Sequence, residues 1–275
     1  MPEGFSRWLS GLLGRASRFV YRILAIGVIR PPLQLLLELT RKNRVPAVIE
    51  VPSARRVLVI APHMDDETIG CGGAICAHVG AGASVQVVFV TDGSLGFDAA
   101  RRRRDSATRL SEVRRDEAAQ ACELLGVSGL HFLDLPDGRS EVGAEAVREL
   151  SRIIRDCAPD IVYLPFITDS HHDHHTSNAL MFAVLRSDSA RASILCACYE
   201  VWTPLYPNSI VDITPHIEKK MAALACYTSQ LALNNYLSSV RGLNAYRAMA
   251  NNSQGYAEAF YITTLGEYAN LADLY

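Results

Sequence analysis

Apolar residues beyond position 55 alternate between two patterns along the chain. Short continuous runs of aliphatic and β-branched residues predict buried strands, and these lie at 57–60, 85–90, 130–133, 161–164 and 194–201. Apolar residues at three- and four-residue steps predict helices, which lie at 68–80, 109–125, 144–157 and 176–186. Further helices at 215–227 and 230–248 and a short strand near 259–263 complete or cap this arrangement. Strands that alternate with helices predict an α/β fold, in which a mostly parallel sheet carries helices on both faces.

The first 44 residues have a helical pattern of another kind. Apolar residues from Phe5 to Leu24 recur at helical steps with arginines between them, which predicts an amphipathic helix that ends near Pro31. Eight basic and two acidic side chains give this segment a net charge of +6, which leaves −8 on residues 45–275. We therefore expect a basic amphipathic helical appendage over 1–50 and one larger domain over 51–275.

The sequence leaves two interpretations of this appendage open. Its helices either pack on the larger domain or lie on an anionic membrane face, with the arginines toward the headgroups. The apolar stretch Ile23–Ile29 is only seven residues long, which is too short to span a bilayer. A secretory signal peptide is not predicted, because arginines interrupt the apolar stretch and no convincing small-residue cleavage site follows it.

Cysteine usage and charge exclude several classes of protein. The seven cysteines are odd in number and form no C-x-x-C pair, so we expect neither a disulfide framework nor a cysteine-bound zinc ion. A reducing cytoplasm is the simpler assignment. The basic charge lies in the apolar N-terminal segment without a recognised nucleic-acid-binding motif, so no nucleic-acid partner is predicted.

The stretch IAPHMDDETIG at 60–70 places His63 and three consecutive acids directly after a predicted buried strand. Ligands of open parallel sheets bind beyond the carboxyl ends of the strands, and a carboxylate that is buried without a partner is costly. We therefore expect these acids to face a cation at the rim of a site. The GCGGA that follows does not match G-x-G-x-x-G, which argues against a dinucleotide site.

A second cluster, PFITDSHHDHHTSN at 165–178, follows the predicted strand 161–164. Its four histidines surround Asp173, and we expect them at the same edge of the sheet as His63. Neutral imidazoles and a carboxylate suit zinc, and three protein ligands leave one position open for water. A histidine-rich surface tract is the alternative, but it does not explain why both clusters follow strands.

Together the two clusters resemble the paired motifs of the PIG-L/LmbE-like zinc de-N-acetylases. The matching segments are H-x-D-D-E at 63–67, D-x-H-x-D-H at 169–174, TDG at 91–93, V-R-x-x-E at 113–117, LG at 125–126 and LPDG at 135–138. The similarity covers about residues 55–265, and Met64 stands where the family usually has proline. The resemblance implies a Rossmann-like (LmbE-like) fold, with the N-terminal amphipathic helices outside it. It also implies a zinc-dependent hydrolase that removes the N-acetyl group from a GlcNAc-type amino sugar.

The resemblance further implies roles for individual residues. The implied Zn²⁺ ligands are His63, Asp66 and His174, and the implied substrate-binding residue is Arg114. Asp65 would act as general base toward the attacking water, whose pKa a bound zinc ion lowers toward ~7. His171, held protonated by Asp173, would donate a hydrogen bond to the developing oxyanion. Glu67 is expected to cap the helix that begins after the motif.

The substrate follows less directly from the sequence than the reaction does. Acceptors of the family include lipid-linked sugars and antibiotic intermediates, and the basic N-terminus favours a substrate at the inner face of a membrane. Tyr199, Trp202 and Tyr206 could stack on a sugar ring or complete the core. The alternative function is a membrane-tethered, non-catalytic sugar-binding module, which would require a broken ligand set. The exact substrate and the oligomeric state, a homo-oligomer included, stay open.

Overall fold

The computed structural model describes residues 46–95, 104–232 and 234–273. The strands are β1 Ala47–Ile49, β2 Arg56–Ala61, β3 Ser84–Thr91, β4 Gly129–Leu135, β5 Ile161–Pro165, β6 Leu195–Tyr199, β7 Ser209–Asp212 and β8 Ala257–Thr264. The helices are α1 Asp66–Gly80, α2 Arg104–Leu125, α3 Ala144–Cys157, α4 His172–Ser187, α5 Ile217–Ala225, α6 Thr228–Leu231, α7 Tyr236–Met249 and α8 Leu265–Ala272. Short 3-10 turns lie at Ser189–Ser193 and Thr214–His216.

Within the described ranges the strands form one eight-stranded sheet in the order β1-β7-β8-β6-β5-β2-β3-β4. The strand β8 runs antiparallel to its neighbours β6 and β7, and all other pairs are parallel. Val57 through Ala61 are fully buried, as expected for a central strand that is covered on both faces. The predicted fold class, an α/β fold with a mostly parallel sheet, is therefore confirmed.

The nine elements predicted from 57–60 to 194–201 correspond to β2 through β6 with the helices between them, whereas β1, β7 and α8 were not predicted and one predicted helix is wrong. The strands β1 and β7 were not predicted, because they are three and four residues long and carry too few apolar positions to form a pattern. The single helix predicted at 230–248 is wrong. The chain leaves the helical conformation between α6 and α7, and the side chain of Asn235 accepts a hydrogen bond from the Ser238 N–H at 3.4 Å at the start of α7.

The predicted N-terminal helices lie outside the described residues, and the predicted boundary between residues 50 and 51 stays a prediction. Residues Val45–Tyr268 form one compact unit. Within it, β1 pairs in parallel with β7, with Ala47 opposite Ser209.

The helix α1 packs unusually closely on the sheet, because glycines replace larger residues on its inner face. A Cβ atom at Gly70 would overlap the ring of Tyr199, and one at Gly73 would lie 2.5 Å from Ile213 Cγ2. The helix is also kinked at Cys71, whose φ is −145° and ψ 21°.

A buried ion pair supplies hydrogen bonds at this kink. Lys220 Nζ donates to the Ile69 carbonyl at 2.9 Å and to Glu258 Oε1 at 2.7 Å. The Glu258 carboxylate in turn accepts from the N–H groups of Gly73 at 2.8 Å and Ala74 at 2.9 Å. In a regular helix the Gly73 N–H would donate to the Ile69 carbonyl, so the pair satisfies groups that the kink separates.

Candidate active site

The two sequence clusters meet because β2 and β5 are neighbours in the sheet. Val57 pairs with Ile161 and Val59 with Tyr163, so the parallel strands end at the same edge. The first cluster forms the turn from β2 into α1, and the second forms the turn from β5 into α4. The parallel topology thus determines that His63 and His174 face each other, as the sequence predicted.

The carboxylate of Asp66 lies between two imidazoles. Its Oδ2 atom is 3.1 Å from His63 Nδ1 and 3.2 Å from His174 Nε2, and it also accepts the His63 backbone N–H at 2.9 Å. The exposed fractions are 7%, 2% and 0% for His63, Asp66 and His174. The structure therefore brings the three predicted metal ligands together in a site shielded from water.

His174 contributes a feature that a purely structural histidine would lack. Its ring is fully buried, yet neither Nδ1 nor Nε2 makes a hydrogen bond of acceptable geometry. A buried polar atom normally has a hydrogen-bond partner, because leaving it without one costs ~1–3 kcal/mol. An imidazole nitrogen that faces a carboxylate but makes no hydrogen bond is suited to coordinate a metal ion.

The donors around this point fit a metal ion in type and in spacing. Ligand atoms of His63, His171 and His174 lie within 4.8 Å of one another, and so do those of His63, Asp137 and Asp173. Imidazole nitrogens with carboxylate oxygens form the donor set that zinc and similar transition-metal ions prefer. The described residues therefore include a cluster that could hold a metal ion.

The electrostatics of the cluster favour positive charge at its centre. Burial alone would lower the pKa of His174, but Asp66 and Asp169 raise it to about 9. Burial likewise opposes protonation of His63, whose pKa is nevertheless raised well above its usual value by hydrogen bonds to Asp137, Asp173 and Asp66. The carboxylates thus favour either protonated imidazoles or a bound cation at this position.

Asp65 lies beside the cluster in a strained backbone conformation. Its φ of 137° lies in a region that residues other than glycine rarely adopt. Burial raises the pKa of its carboxyl group to about 8, although Arg114 acts in the opposite direction. Such a group can exchange a proton near neutral pH, which is the behaviour expected of a general base.

Glu67 and Tyr227 hold this strained residue in place. Glu67 is fully buried, and its Oε2 accepts the Asp65 backbone N–H at 3.2 Å. The other oxygen, Oε1, accepts hydrogen bonds from the Thr68 hydroxyl and from the Tyr227 hydroxyl, the latter at 2.5 Å. Glu67 therefore caps the first turn of α1, as expected, and also links it to the segment before α6.

Arg114 is buried beneath the turn that carries His63 and Asp65. It donates to the Met64 carbonyl at 2.9 Å and to the Leu95 carbonyl at 3.0 Å, while its Nε has no hydrogen-bond partner. Its guanidinium lies 3.7 Å from the carboxylate of Asp65. Arg114 thus braces the turn and forms part of the wall of the adjoining cavity.

The structure pairs Asp173 with different partners from the one expected. Its carboxylate bonds to His63 Nε2 at 2.9 Å, to the Gly138 N–H at 2.8 Å and to the Ser140 hydroxyl at 2.5 Å. The distance from Asp173 Oδ2 to His171 Nδ1 is 3.8 Å, which is too long for a hydrogen bond. Asp173 therefore orients His63 directly, and no hydrogen bond from its carboxylate holds His171 protonated.

His171 lies at the start of α4, half-buried beside His63. Its Nδ1 accepts the Asp173 backbone N–H at 3.2 Å, so a neutral ring carries its proton on Nε2. Burial lowers the pKa of His171, and the nearby His63 and His174 lower it further. These effects favour the neutral form of His171, whereas the resemblance implied a ring held protonated by Asp173.

Three residues of the cluster were not identified from the sequence. Asp137 belongs to the LPDG segment, and its Oδ1 lies 3.4 Å from His63 Nε2. Ser140 and Tyr227 reach the site through Asp173 and Glu67. Of these three residues, only Asp137 could have been predicted from the sequence, because it follows the strand β4, which ends at the same edge of the sheet. The contacts of Ser140 and Tyr227 depend on the tertiary fold alone.

A cavity of about 240 Å³ opens beside this cluster. Asp65, Arg114 and His171 line it together with Trp202. The indole ring of Trp202 is 49% exposed and lies parallel to the His171 imidazole, with 6.5 Å between centroids. Tyr199 is fully buried and donates to the Ile60 carbonyl at 2.8 Å. Of the aromatic residues considered, Tyr199 therefore completes the core and Trp202 lines the cavity.

Known proteins are similar to this chain in sequence and in fold. The model of the PIG-L family, described as GlcNAc-PI de-N-acetylase, matches residues 58–185. Diacetylchitobiose deacetylase from Thermococcus kodakarensis is 32% identical, over 64% of this chain and 70% of that protein. The solved structure of N,N'-diacetylchitobiose deacetylase from Pyrococcus horikoshii superposes with a TM-score of 0.66 at 27% identity, covering 78% of this chain and 86% of that one.

A relative with another activity also matches. 4-oxalmesaconate hydratase from Pseudomonas putida is 27% identical, over 70% of this chain and 82% of that protein. The fold thus supports more than one reaction, and the site has to distinguish them. The match to the family model, the extent of the deacetylase similarity and the meeting of both motifs in one buried cluster lead to one conclusion: this chain belongs to the PIG-L family of de-N-acetylases.

Proposed function

We propose that this chain is a zinc-dependent hydrolase that removes the N-acetyl group from a GlcNAc-type amino sugar and releases a free amine and acetate. The observation that carries the proposal is the buried His63–Asp66–His174 arrangement, which lies next to the carboxylate of Asp65 at the wall of a cavity. The diacetylchitobiose deacetylase relatives support the substrate class.

His63, Asp66 and His174 would hold the zinc ion. When bound, zinc acts as a Lewis acid that polarises the amide carbonyl and lowers the pKa of water. Asp173 fixes the orientation of His63 by accepting a hydrogen bond from its Nε2, which leaves Nδ1 directed at Asp66. A carboxylate behind a ligating histidine is the arrangement that orients such ligands and raises their basicity.

Asp65 acts as the proton carrier in this proposal. Its carboxylate accepts a proton from the attacking water as the new C–O bond forms. It then transfers that proton to the amide nitrogen as the C–N bond breaks, so the products are acetate and an amine. The raised pKa of Asp65 supports the second step, because it favours the protonated carboxyl group that returns the proton to nitrogen.

His171 and Arg114 would act on the substrate. The Nε2–H of His171 would donate to the oxygen that becomes negative in the transition state. Arg114 lines the cavity with an unpartnered Nε, which supports a role in contacting the substrate or in holding the turn that carries Asp65. An Arg114→Lys variant separates the two, because a substrate contact changes KM and a displaced Asp65 changes kcat.

Metal analysis combined with amine release tests the proposal. The purified protein should carry about one zinc ion per chain, and His174→Ala and Asp66→Ala should lose the ion and the release of amine from N-acetylated sugars. His175→Ala is the matched control, since His175 is exposed and only one residue away. Full metal occupancy in a folded His174→Ala variant would remove His174 from the ligand set.

The same assay separates this function from two others. Hydration of an oxalmesaconate-type tricarboxylic acid without amine release would indicate the reaction of the hydratase relative. Binding of N-acetylated sugars by the zinc-loaded protein, with no amine released from any of them, would indicate the sugar-binding module.

We also propose that residues 1–44 bring the enzyme to an anionic membrane face on the cytoplasmic side. The +6 charge and the amphipathic pattern of this segment support the proposal. None of the helices in the described ranges is long and apolar enough to cross a membrane. All seven cysteines are free thiols, which agrees with a reducing compartment.

Vesicle sedimentation tests this localisation. The full chain should sediment with anionic vesicles and be released in part by high salt, whereas a chain that lacks residues 1–44 should stay in solution and still hydrolyse a small soluble substrate. A full chain that ignores vesicles, together with a truncated chain that unfolds, would show that the segment belongs to the core.

A further inference from the structure

A second cavity, of about 310 Å³, continues from the one beside Asp65. The two share four lining residues, Ile69, Trp202, Asn234 and Tyr236. The second cavity extends between the segment after β6 and the helix α7, and we call it the α7 groove. The shared lining places the two cavities side by side, so the α7 groove is the space nearest to a molecule that is bound in the first cavity.

The α7 groove differs from the first cavity in its chemistry. Its other described lining residues are Val201, Asn235, Ser239, Val240 and Leu243, so no charged side chain is among the described residues that line it. The first cavity, in contrast, is lined by the carboxylates of Asp65, Asp66 and Asp137. Its cation, Arg114, already donates to two backbone carbonyls. An anionic substituent would therefore find no charged partner among the described residues that line the groove.

Two aromatic rings connect the cavities. The rings of Trp202 and Tyr236 meet edge to face, with 6.1 Å between centroids and 67° between planes. Trp202 also lies against His171 on the other side. Nearly half of the Trp202 surface is exposed, and an apolar group that covered this ring would remove a large apolar surface from water.

We infer that the α7 groove binds an uncharged, mainly apolar group, aryl or alkyl, that is attached to the amino sugar. The inference rests on the proposed function, because it assumes that the acetylated sugar occupies the first cavity. It names the substrate class more closely: a hydrophobic glycoside of an N-acetylated amino sugar, in which the sugar carries no phosphate or carboxylate next to the ring.

A series of glycosides tests this inference on the full-length, zinc-loaded enzyme. The substrates are the methyl, phenyl and octyl glycosides of N-acetylglucosamine, its 1-phosphate, and N,N'-diacetylchitobiose. We expect kcat/KM for the phenyl and octyl glycosides to exceed that of the methyl glycoside about tenfold or more, since tenfold corresponds to ~1.4 kcal/mol. The 1-phosphate should be the poorest substrate of the series.

Variants of the groove residues then test whether the α7 groove causes the preference for hydrophobic glycosides. Trp202→Ala and Leu243→Asn should bring the ratio of octyl to methyl kcat/KM toward one. Tyr246→Ala is the matched control, because Tyr246 is an exposed aromatic residue on the same helix outside the groove. That variant should keep the ratio of the parent enzyme.

Every outcome of the series decides the inference. Equal kcat/KM for the methyl and octyl glycosides would overturn it, as would a preference for the 1-phosphate. A preference for diacetylchitobiose over the phenyl glycoside would overturn it in favour of a saccharide. If no glycoside releases an amine, the proposed function fails, and the groove is tested by calorimetry with the octyl glycoside of N-acetylglucosamine. Weaker binding to Trp202→Ala than to Tyr246→Ala would then support the groove, and equal or absent binding would overturn it.

Discussion

The pair Lys220–Glu258 and the cluster around Asp66 are both charged and both buried, yet they differ in how completely their polar atoms are satisfied. Both carboxylate oxygens of Glu258 accept hydrogen bonds, and Lys220 bonds to that carboxylate and to a backbone carbonyl. In the other cluster, both ring nitrogens of His174 lack a hydrogen bond and Asp65 has a strained backbone. A buried charge network with all its bonds made stabilises the fold. One with unmade bonds next to a cavity indicates a site for a ligand.

The two clusters also differ in the groups that their charged side chains contact. Lys220 and Glu258 bond mainly to backbone groups of α1, where the helix is kinked. The residues around Asp66 mainly face one another, with imidazole nitrogens and carboxylate oxygens 2.9–3.2 Å apart. Four variants test this contrast.

The largest effect is expected for Asp65→Asn. Loss of the general base should lower kcat ~10²–10⁴-fold. The metal content and the free energy of unfolding should change little, because Asp65 makes no hydrogen bond with its carboxylate that the fold needs. Steady-state kinetics, metal analysis and denaturant unfolding measure the three quantities, with Asp156→Asn, an exposed carboxylate, as the control. Activity within a factor of a few of the parent would exclude Asp65 from the mechanism.

The next largest effect is expected for Glu258→Ala. It leaves Lys220 buried without its counter-charge and two N–H groups of α1 without an acceptor, so the free energy of unfolding should fall by ~3–5 kcal/mol. The folded fraction should still bind its metal. The control is Glu218→Ala, which removes an exposed partner of Arg241 and should be indistinguishable from the parent. Equal losses for the two variants would contradict the role assigned to the buried pair.

A third, smaller effect concerns a buried histidine that has no carboxylate partner. His78 is 1% exposed and bonds to the Tyr163 hydroxyl at 2.8 Å, and burial lowers its pKa to about 4. The unfolded chain, with a histidine pKa of ~6.5, then binds the proton more readily. The contribution of neutral His78 to the free energy of unfolding is therefore fully present above pH ~6.5. It is lost as the pH falls toward about 4.

The matched variant for this effect is His78→Gln, which keeps a hydrogen-bonding side chain and does not titrate. Between pH ~7 and ~4.5 its free energy of unfolding should fall by ~2–3 kcal/mol less than that of the parent. Denaturant melts at a series of pH values measure the difference. Parallel pH profiles for the two proteins would show that His78 is not the titrating group.

The smallest effect is expected for Tyr227→Phe. Removal of one hydrogen bond to the buried carboxylate of Glu67 should cost ~1–2 kcal/mol of stability. It should also lower kcat without changing KM, because Glu67 holds the backbone of Asp65. Tyr163→Phe removes a buried hydroxyl away from the site and should affect stability alone. If both variants keep the parental kcat, Glu67 does not position Asp65.

Several features of the site could be predicted from the sequence, because they depend on neighbours along the chain. The runs 57–60 and 161–164 identified the strands that end at the site, and the acids and histidines directly follow them. His63, Asp66 and His174 were therefore assigned to one edge of the sheet before the fold was known. The break between α6 and α7 was missed, since apolar residues continue at helical steps through it.

Other features depend on contacts between distant segments. Asp173 was expected beside His171, its neighbour in the sequence, but it bonds to His63 and Ser140. Asp173 bonds to His63 because the turn after β5 places its carboxylate within 3 Å of the turn after β2. This distance between two separate turns has no counterpart in the local sequence pattern. The domain boundary at residue 50 and the N-terminal helices stay predictions.

Residue type and local spacing were enough to predict the alternation of strands and helices, the histidine and carboxylate clusters at the ends of two strands, and the family. The partners of Asp173, the strain at Asp65, the burial of Tyr199 and the exposure of Trp202 became known from the three-dimensional structure alone. The physical reason is that hydrogen bonds, burial and cavities arise where the sheet order brings separate segments together. The order of the strands depends on the packing of the whole domain, and no single segment of the sequence specifies it.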